Sequence, residues 1–258
     1  VIIDAHSHVQ DPLDLKSLDE AGVHRAVLFM SRPHPERATD LAGLRREMAV
    51  LQASLSGTNT DYSGVWQQLD AALAAHPDRY IGFGSVRLDL PPAAIADAVE
   101  REVVGRKLHG IGELTPPPDR ADLLEPVLAA AHEHGDLPVV VHGAAPTTAA
   151  DLRTLHVLAA RFPHTPLIVS QLGGVHWMDA IELVRDSPSM YLELSTAPIV
   201  FAVRLAIAEL PDRTLFGSDA PYGDPVLARA LVERVTEPGE VRDAVLGETF
   251  VQLSGFTS

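Results

Sequence analysis

Eight short apolar runs rich in β-formers, separated by stretches whose apolar residues recur at helical spacing, constrain this chain more than any other feature. The periodicity predicts strands over Val1–Ala5, Arg25–Met30, Tyr80–Val86, His109–Leu114, Pro138–His142, Leu167–Gln171, Met190–Leu194 and Thr214–Gly217. Helices are expected between them, among others over Ala93–Val104, Ala121–His134, Thr147–Arg161 and Ala197–Glu209. Eight alternating strand-helix units within 258 residues point to an α/β fold, a single-domain (β/α)8 TIM barrel. Punctuation agrees, since Gly135 follows a helix end, and Pro163, Pro188 and Pro211 each stop a helix before the next strand. Residues 31–64 form an insertion after the second strand, with Glu36–Leu55 reading as a helix and Ser56–Thr60 as a flexible run. In a barrel that insertion sits on the catalytic face, as a lid or as a surface elaboration. Val241–Leu253 reads as an extra C-terminal helix.

The strand ends of a barrel converge on one opening, so polar residues there matter more than the same residues elsewhere. Here they are His6 and His8 on the first strand, Glu113 on the fourth, His142 on the fifth, Gln171 on the sixth and Asp219 past the eighth. Residues two apart on a strand point the same way, so the imidazoles of His6-Ser7-His8 can converge on one small object, most often a metal ion. Three histidines with two carboxylates match the N/O sites that hold zinc. Glu113 has a plainer reading as the partner of an arginine, and His109, His132 and His134 read as strand or surface residues. Arg32, His34 and Arg87 follow or end strands two and three, where a guanidinium could bind a substrate carboxylate or form an ordinary surface ion pair.

Composition removes competing classes. There are no cysteines, which excludes disulfides and thiolate chemistry and leaves His, Asp and Glu as ligands. A net charge of −15, with lysine only at Lys16 and Lys107, argues against nucleic acid and anionic membrane surfaces as partners. No run approaches the ~20 apolar residues of a membrane span, and the opening lacks a basic region before an apolar stretch, so a cytoplasmic protein is expected. The expected partner is a small-molecule substrate, and a homodimer is compatible with the sequence.

In its motifs the chain resembles the amidohydrolase superfamily, specifically amidohydrolase family 2, whose relatives include decarboxylases and hydratases. The motifs are Asp4-Ala5-His6-Ser7-His8, Gly110-Ile111-Gly112-Glu113-Leu114, Val141-His142-Gly143, Leu172-Gly173-Gly174, Gly217-Ser218-Asp219-Ala220-Pro221 and Val245-Leu246-Gly247-Glu248. The resemblance implies that His6, His8 and Asp219 ligate the more buried metal position. It makes His142 a further ligand or a carbonyl-polarising group. It puts Glu113 where such families carry a carboxylate or a modified lysine; Lys107 lies before the fourth strand rather than at its end. One departure bears on metal count. The family commonly has histidine before Leu-Gly-Gly, where this chain has Gln171, and an amide oxygen is a poor zinc ligand beside imidazole. One divalent ion is therefore expected, zinc first, with Mn2+ or another ion as an alternative. Gln171 is then free to hydrogen-bond substrate, and His176 is expected at a helix start as a cap or substrate contact.

Gly110-Ile111-Gly112-Glu113 resembles the fourth-strand carboxylate segment of metal-dependent hydrolases, and the resemblance implies a metal-dependent hydrolase of a small-molecule amide or lactone-type bond, with Asp219 as the proton shuttle. A metal-dependent decarboxylase or hydratase sharing the same ligands is the alternative, followed by a non-catalytic ligand-binding barrel. DNA-directed hydrolases, which share a similar fourth-strand segment, conflict with the acidic charge.

Overall fold

Each of the eight β-rich runs forms a strand in the computed structural model, which describes residues 1–31, 33–55 and 63–256, with side chains except at 54 and 55. The strands are β1 (Ile3–His8), β2 (Arg25–Phe29), β3 (Tyr80–Gly84), β4 (Gly110–Leu114), β5 (Val139–Val141), β6 (Leu167–Val169), β7 (Met190–Glu193) and β8 (Thr214–Leu215). They run in sequence order and every laddered pair is parallel. The last junction is made by a Ser7–Ala220 bridge and by bonds from Ala5 N to Phe216 O (2.9 Å), His8 N to Ala220 O (2.8 Å) and Asp219 N to His6 O (2.7 Å). The result is the TIM barrel that the alternation predicts.

The helices are α1 (Leu15–Glu20), α2 (Leu41–Leu55), α3 (Ser63–Ala75), α4 (Pro92–Ala98), α5 (Glu125–Glu133), α6 (Ala149–Arg161), α7 (Trp177–Arg185), α8 (Val200–Glu209), α9 (Pro225–Val235), α10 (Glu240–Asp243) and α11 (Thr249–Ser254). Three expected helices are interrupted. The helix over Ala93–Val104 ends at Ala98 and continues as a π turn, Val99–Val104, and the one over Ala121–His134 opens as a 3-10 turn, Ala121–Leu124. The terminal helix is broken at Gly247, where the backbone of Val1 approaches so closely that a Cβ would lie 2.3 Å from its carbonyl oxygen. Of the insertion, α2 covers the expected helix only from Leu41, its first residues lying in a separate 3-10 turn, Pro35–Arg37, and Ser56–Thr60 lies outside the described residues.

Strand alternation sorts the core into two layers. Val27, Phe29, Ile81, Phe83, Val140, Ile168 and Leu215 fill the barrel interior, together with Phe250 from α11, while Ala26, Leu28, Val139, Val141, Leu167, Val169 and Leu192 belong to the core between strands and helices. Among the described residues no helix is long and apolar enough to cross a membrane.

Two interruptions of the alternation place the polar residues. In β1 the register jumps from Asp4–Ala26 to Ser7–Leu28, so two residues, Ala5 and His6, oppose one. In β4 it jumps from Ile111–Val139 to Leu114–Val141, so Gly112 and Glu113 oppose Val140. Each is a β-bulge, which shifts the residues beyond it to the other face. Ile3 and Ala5 face the interior, and without the bulge His6 and His8 would point outward; with it they turn inward. The β4 bulge likewise keeps Ile111 and Leu114 in the outer layer while Glu113 faces the histidines.

Candidate metal centre

The histidine pair, expected on the first strand, lies within β1, whose last residue is His8. His142 and Gln171 each stand one or two residues past their strands, and Asp219 four past β8. Gln171 and Asp219 have left-handed backbones, with φ of 50° and 58°, which turn the chain sharply at the barrel mouth.

These turns bring four donor atoms together. His6 Nε2 lies 3.4 Å from His8 Nε2, 3.6 Å from Glu113 Oε2 and 3.6 Å from Asp219 Oδ1. His8 Nε2 lies 3.7 Å from Glu113 Oε2 and 3.2 Å from Asp219 Oδ1. Donors bound tetrahedrally at ~2.0–2.1 Å from one ion would be spaced about 3.3–3.4 Å apart, close to the five separations above. Asp219 Oδ1 is buried and has no hydrogen-bond partner, the one such side-chain atom among the described residues. An orphaned carboxylate oxygen aimed at two imidazole nitrogens is costly unless a cation meets it. His6, His8 and Glu113 form a group able to hold a metal by spacing alone. The residues therefore fit a divalent ion.

The atoms facing away from this point are tied down. His8 Nδ1 reaches Met30 O at 3.5 Å, and His6 Nδ1 meets Glu193 Oε2 at 2.9 Å. Glu113 Oε1 takes bonds from His142 Nδ1 (2.9 Å), Ser170 Oγ (2.8 Å) and Gln171 Nε2 (3.3 Å). Asp219 Oδ2 accepts from Gln171 Nε2 at 3.2 Å. Gln171 Oε1 is itself held by Gly143 N, Ala144 N and Ser170 Oγ, so its amide orientation is set and its NH2 group faces the two carboxylates. His142 Nε2 faces Ala145 O at 3.1 Å, so His142 joins the cluster through Glu113. Beneath the site, Asp4 accepts from His6 N, Ser218 N and Ser218 Oγ, stapling β1 to the Asp219 turn.

Burial and charge oppose each other here. Burial alone would lower the His6 pKa, but Glu113, Asp219 and Glu193 together hold it well above the ordinary imidazole value. Burial would raise Glu113, yet His6 and His142 hold it well below the usual carboxylate range. Asp219 is likewise pulled down, against burial, by His6 and His8. Burial would lower His142, but its hydrogen bond to Glu113, the Glu113 charge and Ala145 O together raise it. Tyr222, edge-on to His8 at 5.8 Å between ring centroids, is pushed up to about 12 by burial and by Asp219, Glu113, Glu36 and Glu47. The mouth is therefore acidic beyond the ligand set itself.

Of the remaining expected site residues the structure describes His34, Arg87 and His176, none of which is among the four donors. His34 is buried, with Nδ1 3.1 Å from Glu36 Oε1 and Nε2 3.4 Å from Gln68 Nε2. Arg87 pairs with Asp89 and lines a cavity of about 480 Å³ with Trp66, Asp70 and Arg106, which none of the four donor residues lines. His176 stands at the start of α7 but makes no side-chain capping bond. Arg32 lies outside the described residues. Sequence reasoning missed Glu193, Asp4, Ser170 and Ser218. Glu193 carried a signal: a carboxylate at the end of β7 between Leu192 and Leu194, at the same level as the other strand-end residues.

A family model described as Amidohydrolase matches residues 3–249. Comparison with curated protein sequences returns no match. Among solved structures, 5-carboxyvanillate decarboxylase from Sphingomonas paucimobilis is 20% identical, covers 94% of this chain and 82% of its own, and superposes with a TM-score of 0.65. A dihydroxybenzoic acid decarboxylase from Polaromonas, with bound manganese and 2-nitroresorcinol, is 16% identical over 98% of this chain and 96% of its own, TM-score 0.62. One assigned as a 2-pyrone-4,6-dicarboxylic acid hydrolase from Acinetobacter baumannii is 14% identical over 99% of both chains, TM-score 0.62. At these identities the likeness establishes a common fold.

Proposed function

The chain belongs to the amidohydrolase family, and we propose that it is a metal-dependent hydrolase of an amide or lactone-type bond in a small molecule. The observation that carries this reading is Asp219 Oδ1, buried, without a hydrogen bond and 3.2 Å from His8 Nε2. His6, His8, Glu113 and Asp219 would hold one divalent ion, zinc being the ion that two imidazoles and two carboxylates suit first, with manganese as an alternative. When bound, such an ion lowers the pKa of a coordinated water toward about 7. Asp219 would take the proton of the attacking water and return it to the leaving group. Gln171 Nε2, bonded to Oδ2, keeps Oδ1 facing the histidines. The same NH2 group presents donors where a second cation would need an acceptor, which supports a single ion.

Charge favours a neutral scissile group. Glu113 and Asp219 balance a divalent ion, and Glu36 and Glu47 add negative potential at Tyr222. A second reading, decarboxylation, draws on the names of two of the structural relatives and on His142, whose two ring nitrogens face the acceptors Glu113 Oε1 and Ala145 O and so suit a proton donor. The test is elemental analysis of protein purified without added metal, then turnover after chelation and after zinc or manganese return, with carbon dioxide measured beside hydrolysis products. Near one equivalent per chain and metal-restored hydrolysis support the proposal. Full activity in metal-free protein refutes it, and stoichiometric carbon dioxide transfers the assignment to the second reading.

A further inference from the structure

Glu193 is a fully buried carboxylate that the proposed chemistry leaves without a task. It ends β7 with Oε2 2.9 Å from His6 Nδ1, and the same oxygen accepts from Ser195 Oγ at 2.8 Å and Gln171 N at 3.3 Å. Its other oxygen accepts from Ser195 N. The fold also makes room for it: a Cβ on Gly217 would lie 2.2 Å from Glu193 Oε1 and 2.9 Å from His6 Cβ. Burying a carboxylate is expensive unless donors surround it, and here the donors come from β1, the β6 turn and the segment after β7.

We propose that Glu193 is a positioning residue for the metal centre, acting through His6. By accepting the Nδ1–H it leaves the Nε2 lone pair facing His8, Glu113 and Asp219, fixes the ring plane and makes the imidazole a stronger donor. Ser195 and Gly217 belong to the same device, one holding the carboxylate and the other leaving space for it. This rests on the metal-site reading above. A merely structural role, an ionic tie between β1 and β7, would change stability and leave metal affinity alone.

The experiment is Zn2+ affinity by chelator competition on the full chain, with the absorption spectrum of the Co2+-loaded protein and the thermal midpoint of the metal-free protein. Glu193→Gln places an amide NH2 where His6 or Ser195 donates, and Zn2+ binding is expected to weaken ~10–100-fold, with an altered Co2+ spectrum. Glu193→Asp, which keeps the charge, should restore part of the loss. If Glu193→Gln binds Zn2+ within threefold of the parent with the same Co2+ spectrum, the proposal is overturned whatever the midpoint does. Should Glu193→Gln not fold, Ser195→Ala decides: affinity at least threefold weaker supports the proposal, and unchanged affinity overturns it. A parent protein that binds no Zn2+ overturns the metal reading itself, a different result from a variant that binds as the parent does.

Discussion

Replacing Gln171 by leucine tests whether its amide holds the centre together. The backbone there is left-handed, φ 50°, for glutamine and leucine alike, so the strain cancels in the comparison. Leucine fills similar space but removes five hydrogen bonds, from Gly143 N, Ala144 N and Ser170 Oγ and to Glu113 Oε1 and Asp219 Oδ2. Gly143 N and Ser170 Oγ keep each other, and Glu113 Oε1 keeps His142 and Ser170. Asp219 Oδ2 and Ala144 N lose the partner they have. An orphaned buried polar group costs ~1–3 kcal/mol; Ala144 is partly exposed and leucine returns some apolar burial, so the net loss is about 2–3 kcal/mol. For a chain of this size each kcal/mol moves Tm by ~2–4 °C, giving a drop of about 4–12 °C. Calorimetry on metal-free protein reads it directly. Adding Zn2+ should recover part of the loss, because Asp219 is then held by an ion. A Tm within 1 °C of the parent would refute the claim that this amide is a structural tie.

Other outcomes follow from the same geometry. Asp219→Asn should cut turnover at least ~10²-fold, in steady-state assays at saturating metal, since it removes the proton acceptor. Because Glu113, Asp219 and Glu193 raise the His6 pKa against burial, a proton on that imidazole competes with a cation for the site. Zn2+ affinity should therefore fall as pH drops, up to about tenfold per pH unit for one displaced proton, in competition titrations from pH 8 to 6. In metal-free protein, the raised His6 pKa contributes stability that is complete below the unfolded imidazole value and lost as pH rises through the folded one. Glu113 and Asp219, both lowered, contribute stability present above ordinary carboxylate values and lost on acidification, so melts against pH should fall off on both sides. Phe250→Ala, emptying a fully buried position in the barrel interior, should cost ~3–5 kcal/mol in denaturant unfolding while leaving metal stoichiometry unchanged.

Much of the fold was legible along the chain, for a local reason. Strand and helix periodicities are short-range, so the eight apolar runs and the helices between them stand in the sequence with ends a few residues adrift. Where the ends moved, a tertiary contact moved them. Residues 216–219 leave the β8 ladder to bond β1 instead, and the terminal helix breaks at Gly247 because Val1 passes there. The candidate site was legible in residue type: His6, His8, Glu113, His142, Gln171 and Asp219 all stand at the barrel mouth. Their roles toward one another were not. The amide of Gln171, which looked free for substrate, bonds Glu113 and Asp219, and Arg87 faces a different cavity.

By itself the sequence determined the alternating strand-helix architecture, because such units bury both faces of a parallel sheet, and eight of them at this length are the pattern of a barrel. It also determined the chemistry open to the site, because a chain without cysteine offers a metal no thiolate. Which face those ligands occupy was decided by tertiary structure. Strict alternation puts His6 and His8 opposite Ile3 and Ala5, and only one extra residue in β1, matched by one in β4, turns the pair and Glu113 inward. The same holds for Glu193 and Asp219, 187 and 213 residues from His6, which become its neighbours because closing the sheet brings the ends of the later strands around β1. A bulge is a matter of register between strands, and a carboxylate's partner is a matter of closure. Neither is written in the residues on one strand alone.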